Sequence, residues 1–169
     1  SVTQSPKIMM QLSLTTIHSA IVLGLALVGA GTASRAAPVV HEILASGSSE
    51  GFRDEDGEVA DWIEIYNPDD VSVDLGGYYL SDDPDALAKW QFPDSVSLPA
   101  QQYLVVFASG KDRAVASREL HTSFSLATQG EGVYLTAPDG RSVVSSIENY
   151  PEQQSDVSYG RGVTGATFR

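Results

Sequence analysis

Trp62-Ile63-Glu64-Ile65-Tyr66 alternates, with Ile63 and Ile65 on one face and Trp62, Glu64 and Tyr66 on the other. A period of two belongs to a half-buried strand and not to a helix. Asn67-Pro68-Asp69-Asp70 ends the run, because proline fixes φ and Asx side chains hydrogen-bond their own backbone. The same grammar repeats on both sides. Upstream, Val39–Leu44 is a short, mainly apolar strand, followed by a loop over Ala45–Asp61 rich in Ser, Gly and acids. Downstream come Val73–Leu75, the Gly76-Gly77 break, Tyr78–Ser81, the turn Asp82-Asp83-Pro84-Asp85, and Lys89–Phe92 ended by Pro93-Asp94. Tyr103–Ala108 is uninterruptedly apolar, as expected of a central strand covered on both faces. Gly132–Ala137 and Arg141–Ile147 flank Pro138-Asp139-Gly140, a hairpin signal in which Pro presets φ and Gly accepts a positive one. Only Asp85–Ala88 and Asp112–Arg118 have room for a helical turn or short helix. Many short strands split by Pro, Gly and Asp turns predict an all-β protein, an antiparallel sandwich or barrel.

Composition narrows the function classes. The 169 residues fit one domain plus an attachment. Ten Lys+Arg against 22 Asp+Glu give a net charge of -12, which excludes a generally basic nucleic-acid binder. With no Cys, disulfide stapling, thiol catalysis and Cys-based zinc sites are excluded. Hydrophobic residues at 42% suffice for a packed core.

The front of the chain carries an address. Ala20–Ala30 is an apolar run of 11 residues, short of the roughly 20 needed to span a bilayer. Gly31-Thr32-Ala33 and Ser34-Arg35-Ala36 then offer small residues to a signal peptidase. This predicts a secretory signal peptide over 1–36. Lys7 alone makes a thin positive region, and the start falls at Met9 or Met10 if the earlier residues are read-through. The rival reading is an uncleaved anchor. Cleavage after Ala36 removes Lys7 and Arg35 and no acid, so the mature charge moves from -12 to -14. Residues 37–161 form the expected domain, and the polar, Gly-rich residues 162–169 the expected linker to a downstream module.

Taken in order, VVHEILAS (Val39–Ser46), DEDGEVADWIEIYNP (Asp54–Pro68), VDLGGYYLSDD (Val73–Asp83), KWQFPD (Lys89–Asp94), LPAQQYLVVFASGKD (Leu98–Asp112), LHTSFSLATQGEGVYLTAPDG (Leu120–Gly140) and DVSYGR (Asp156–Arg161) resemble the lamin tail domain in its exported bacterial form. The resemblance implies an immunoglobulin-like β-sandwich and an interaction module rather than an enzyme. Similar bacterial domains occur in secreted or surface proteins beside hydrolases, nucleases and other modules. Nuclear lamin tails bind proteins and have been associated with DNA and chromatin, but the acidic charge here argues against a phosphate backbone as partner.

Candidate chemistry centres on the loop acids Asp54, Glu55, Asp56, Glu58 and Asp61. Ca²⁺ takes about six to eight oxygens, which such loops supply, so Asp54, Asp56 and Asp61 are the candidate ligands of a Ca²⁺ ion. The spacing is not that of an EF-hand, since Val59 and Ile65 stand where Gly and Glu are required. The competing reading is a solvated loop in which Asp54 or Asp56 makes Asx turns. Asp82, Asp83 and Asp85 form a second acid group. His41-Glu42 lacks the second His of a zincin, Ala45 standing in its place, and a zinc site joining His41, His121 and an acid has no support from spacing. Gly160-Arg161-Gly162-Val163-Thr164-Gly165 matches a dinucleotide-binding pattern literally but precedes no helix. Trp62, Tyr66, Tyr78, Tyr79 and Trp90 suggest either a sugar-stacking platform or cross-strand packing. Lys111, Arg113 and Arg118 make a small basic patch, read as a solvated face.

No catalytic constellation is present. The sequence therefore predicts a non-catalytic, exported attachment module, secreted or on the cell surface. Its expected partners are a protein or surface polymer and a neighbouring domain of the same polypeptide, with no nucleic acid and no stable membrane span in the mature chain. Two alternatives stay open: an accessory domain of a secreted hydrolase or nuclease whose catalytic part lies beyond Arg169, and a Ca²⁺-stabilised carbohydrate-binding domain.

Overall fold

The computed structural model describes residues 35–162, together with the backbone of residues 167 and 168. The signal-peptide reading therefore lies outside the described residues except for Arg35 and Ala36. Residues 163–166 and 169 of the expected linker lie outside them too.

Twelve strands make up the described chain: β1 (Val39–Leu44), β2 (Asp61–Tyr66), β3 (Val73–Asp74), β4 (Tyr79–Ser81), β5 (Trp90–Gln91), β6 (Ser97–Leu98), β7 (Tyr103–Ala108), β8 (Leu120–His121), β9 (Val133–Thr136), β10 (Val143–Ile147), β11 (Tyr159–Arg161) and β12 (Thr167–Phe168). A six-stranded sheet runs β12-β11-β1-β2-β7-β8 and a four-stranded sheet runs β10-β9-β4-β5, with β3 and β6 as a separate pair. Among the described residues there is no helix. The architecture is an all-β sandwich.

The alternation in β2 does what its period requires. Ile63 and Ile65 are fully buried, as are Val40 and Ile43 of β1 and Val106 of β7. They face Leu80, Val133, Leu135 and Ile147 of the smaller sheet across one core. Trp90 and Phe92 close one side of that core edge to face, their centroids 5.0 Å apart. Asn67 pins the turn after β2 from within: its buried Nδ2 donates to the carbonyls of Val71, Leu98 and Pro99 at 2.9–3.0 Å.

Three expectations need correction. β7 pairs with β8 in parallel, with Val106 opposite Leu120 and Phe107 opposite His121, so the sandwich is not wholly antiparallel. β7 is covered on both faces only in its second half. Tyr103 is 51% exposed, whereas Phe107 is capped by Phe52, stacked at 5.5 Å. Asp85–Ala88 and Asp112–Arg118 form turns. Asp112 has φ of 52°, and both backbone groups of Arg113 bond those of His121 at 2.9 and 3.0 Å. That bridge leaves nothing for a helical ladder.

A bulge in β1 re-aims its side chains. Val40 opposes Ile65 and Glu42 opposes Glu64, with a register shift between Val40 and Glu42. His41 is the extra residue. Two consecutive side chains, His41 and Glu42, are therefore left off the core face, while Val40 and Ile43 both keep their place in it.

Candidate functional site

The acid loop joins β1 to β2. Arg53 and Val59 bridge across it, and Asp54 closes the turn between them. Its Oδ1 accepts the N–H groups of Asp56 at 3.0 Å and Glu58 at 2.9 Å, and its carbonyl accepts that of Gly57 at 2.9 Å. The Asp54 carboxylate is wholly enclosed and meets Lys111 Nζ at 2.5 Å. Lys111 also reaches Asp56 at 2.8 Å and Glu58 at 2.9 Å. Arg113 pairs with Glu55 and, at 2.6 Å, with Asp56, and Arg118 pairs with Glu55 at 2.7 Å. Lys111, Arg113 and Arg118 thus turn toward the acid loop instead of forming a separate basic face.

Electrostatics follow from these contacts. Burial pushes the Asp54 pKa up, but the Lys111 hydrogen bond and the N–H groups of Glu58 and Asp56 outweigh it and hold the carboxyl below its usual range. Hydrogen bonds from Lys111 and then Arg113 lower Asp56 to about 2. Asp54 and then Asp56 raise the Lys111 ammonium in return. Asp54, Asp56 and Lys111 are thereby held in their charged forms.

Asp61 stands apart from this network. It opens β2, and its Oδ2 accepts the Leu126 N–H at 3.2 Å. Burial, aided by the Glu131 charge, raises it to about 6. A cleft of about 230 Å³ beside it is lined by Glu58, Asp61, Ser109, Lys111 and Ser125. Of the three candidate Ca²⁺ ligands, then, the structure brings Asp54 and Asp56 together around Lys111 and leaves Asp61 on a different network.

Beside the cluster, His121 is fully buried, stacked on Phe107 at 5.2 Å. Its Nδ1 lies 2.9 Å from Ser109 Oγ and its Nε2 lies 3.3 Å from the Arg113 guanidinium. This has the look of a nucleophile and its base, but guanidinium can only donate. Nε2 must therefore accept, the ring proton sits on Nδ1, and Nδ1 donates to the serine. A base would need its lone pair there. Burial first, then Arg113 and Lys111, hold His121 below its usual pKa, so the ring stays neutral and acts as a brace. His41 and His121 belong to strands separated by β2 and β7, about 14 Å at the usual strand spacing, and cannot share an ion.

The aromatic residues divide. Trp90 is a core residue, and Tyr78 packs against the same core. Tyr79 belongs to the smaller sheet, with its hydroxyl 3.0 Å from Gln91 Nε2. Only Trp62 and Tyr66 share a face, the outer face of the six-stranded sheet. There Tyr66 stacks on Tyr103 at 4.5 Å, and His41 lies 5.1 Å from the Tyr103 ring. Tyr103 was missed from sequence because it begins an apolar strand. Its signal is its register: Tyr66 ends β2 and Tyr103 starts β7, so antiparallel pairing sets them opposite. Gly160, the first glycine of the dinucleotide-binding pattern, has a packing role. A Cβ on Gly160 would come 2.7 Å from the His41 carbonyl, so the glycine lets β11 approach β1.

Among the described residues no helix is long and apolar enough to cross a membrane. A family model described as the Lamin Tail Domain matches residues 32–150. No curated protein matches the chain.

Proposed function

Because the chain belongs to the lamin tail domain family, an immunoglobulin-like family, we propose that it serves as a non-catalytic attachment module of an exported protein. It docks through the outer face of its six-stranded sheet to a protein or polymer of the cell surface. The observation that carries this is the ring cluster of His41, Tyr66 and Tyr103, held on three adjacent strands with Tyr103 half exposed. Rigid aromatic side chains on a sheet lose little conformational entropy on contact and are favoured as interface anchors. The reactive-looking groups elsewhere are engaged in bracing the fold: Ser109 accepts from His121, and the loop acids neutralise Lys111, Arg113 and Arg118. An excess of 12 negative charges works against nucleic acid as the ligand.

The test is cosedimentation of the purified protein with washed cell envelopes from its own source. Saturable binding is expected, weakened by about tenfold in Tyr103→Ala, a loss of about 1.4 kcal/mol as for a typical interface anchor. The melting temperature should hardly move, because that ring is largely outside the core. Binding that survives Tyr103→Ala unchanged would remove this face from the reading.

A further inference from the structure

The outer face of the sheet carries a second feature beside its rings. The β1 bulge sets His41 and Glu42 together off the core face, and Glu64 of β2 lies directly opposite Glu42. His41, Glu42 and Glu64 present donor atoms that all lie within 4.8 Å of one another. Like charges directly opposed across a strand pair destabilise a sheet unless something compensates them. Here the compensation from the chain itself is slight. Among the described residues, Glu64 is bonded to His41 Nδ1 at 2.9 Å and Glu42 to the Ser158 hydroxyl, and no Lys or Arg pairs with either glutamate. The contrast with Asp54 and Asp56 is direct, since that group already holds Lys111 and Arg113 in the place a cation would take.

We propose that His41, Glu42 and Glu64 form a binding site for a divalent transition metal of the zinc type. One imidazole nitrogen and two carboxylates are a borderline donor set. They suit Zn²⁺, with water completing the tetrahedron, better than Ca²⁺, which wants about six to eight oxygens. Bonds of about 2.0–2.2 Å place tetrahedral donors about 3.3 Å apart. The 2.9 Å contact of His41 with Glu64 needs to open by only a few tenths of an ångström as the metal replaces the shared hydrogen. The ring proton moves to Nε2 and Nδ1 becomes a ligand.

The surroundings suit that role. Ser158 donates to Glu42 and fixes its rotamer, as groups behind metal ligands commonly do. The Tyr66 and Tyr103 rings, 5.8 and 5.1 Å from the imidazole, limit its rotation. The His41 and Glu64 side chains keep 25% and 20% of their surface exposed, which leaves the fourth position open to water. An ion here would tie β1 to β2 at the bulge, where the ladder is interrupted. The site would remain whether or not the face also docks to a surface.

Isothermal titration of the full chain with ZnCl₂ tests the proposal. One saturable site per chain is expected. Affinity should fall by at least about tenfold in Glu64→Gln and in His41→Ala, since removing even a group behind a ligand costs about 10–100-fold. The Asp54→Asn, Asp56→Asn double variant should bind as the parent does. Co²⁺ provides a second readout, because its visible spectrum reports a tetrahedral site and should vanish with His41→Ala. Should His41→Ala fail to fold, His41→Gln keeps the side chain's bulk and its melt checks folding. The proposal is overturned if no saturable binding occurs, or if binding persists in both His41 and Glu64 variants. It is equally overturned if binding is lost in the Asp54, Asp56 variant instead.

Discussion

Asp61 begins the strand whose alternation organises the sandwich, yet its carboxylate is poorly placed. Burial, and next to that the charge of Glu131, raise it to about 6 against an ordinary 3.8, even though Leu126 donates an N–H to it. The folded chain therefore binds the Asp61 proton more tightly than the unfolded chain. The sign follows: this residue's contribution to stability is most favourable below pH 3.8 and is lost as pH rises through about 6. Two pKa units correspond to about 2.7 kcal/mol. Because the side chain keeps some solvent, about 1 kcal/mol is the reasonable fraction. Asp61→Asn preserves an acceptor for Leu126 and removes the charge. It is expected to raise stability at pH 7 by about 1 kcal/mol and to give no gain near pH 4. Denaturant melts of parent and variant between those values measure the difference. An equal gain at both pH values would assign the effect to packing instead of ionisation. Asp56 and Asp139, both held near 2, act in the opposite sense and lose their contribution only as pH falls below 3.8.

Elements were legible in the sequence according to their length and regularity. β1 and β7 run six residues each and match the apolar stretches read from sequence end for end. β2 differs only by starting at Asp61. The hairpin of β9 and β10 was legible from Pro138-Asp139-Gly140, whose Asp139 Oδ1 caps Arg141 and Ser142 at 2.9 and 2.8 Å. Two-residue strands such as β6 and β8 have no period to read, and β8 is placed by its partners. The bulge hid the sharing of a face by His41 and Glu42, since alternation would separate neighbours. The acid loop was legible as acids, but its cations come from positions 111, 113 and 118, far along the chain. That pairing bears on the Ca²⁺ reading of Asp54, Asp56 and Asp61. A Ca²⁺ ion at Asp54 and Asp56 must displace an ammonium that bonds three carboxylates, and Asp61 is not within the same group. At matched ionic strength, Ca²⁺ and Mg²⁺ are expected to shift the melting temperature equally, by screening alone. Asp54→Asn with Asp56→Asn should leave that shift intact while lowering the baseline melt. A Ca²⁺-specific rise that the double variant abolishes would instead establish the site, and would approach about 2.7 kcal/mol at a hundredfold excess over Kd.

At the scale of the molecule, the question is where the folded domain begins relative to the expected leader. Arg35 is the first described residue, and its guanidinium bonds Asp69 Oδ2 at 3.2 Å and the Ser72 carbonyl at 3.0 Å. β1 starts only at Val39, so both candidate cleavage points, before Ser34 and after Ala36, spare the whole ladder. They differ in the two surface contacts of one side chain, Arg35. The Arg35 side chain is 62% exposed, and such pairs contribute less than about 1 kcal/mol. Stability therefore does not select between the two products. Cells producing the full chain are expected to release a species that begins near Ser34 or Ala37. The two forms should melt within a few degrees of each other, since 1 kcal/mol moves a domain of this size by about 2–8 °C. N-terminal sequencing of the released protein reads the outcome. Recovery of Ala20–Ala30 in the membrane fraction, with no released species, would replace the signal peptide by an anchor. The sandwich would then be presented from a membrane and not set free, with the same outer face available for attachment.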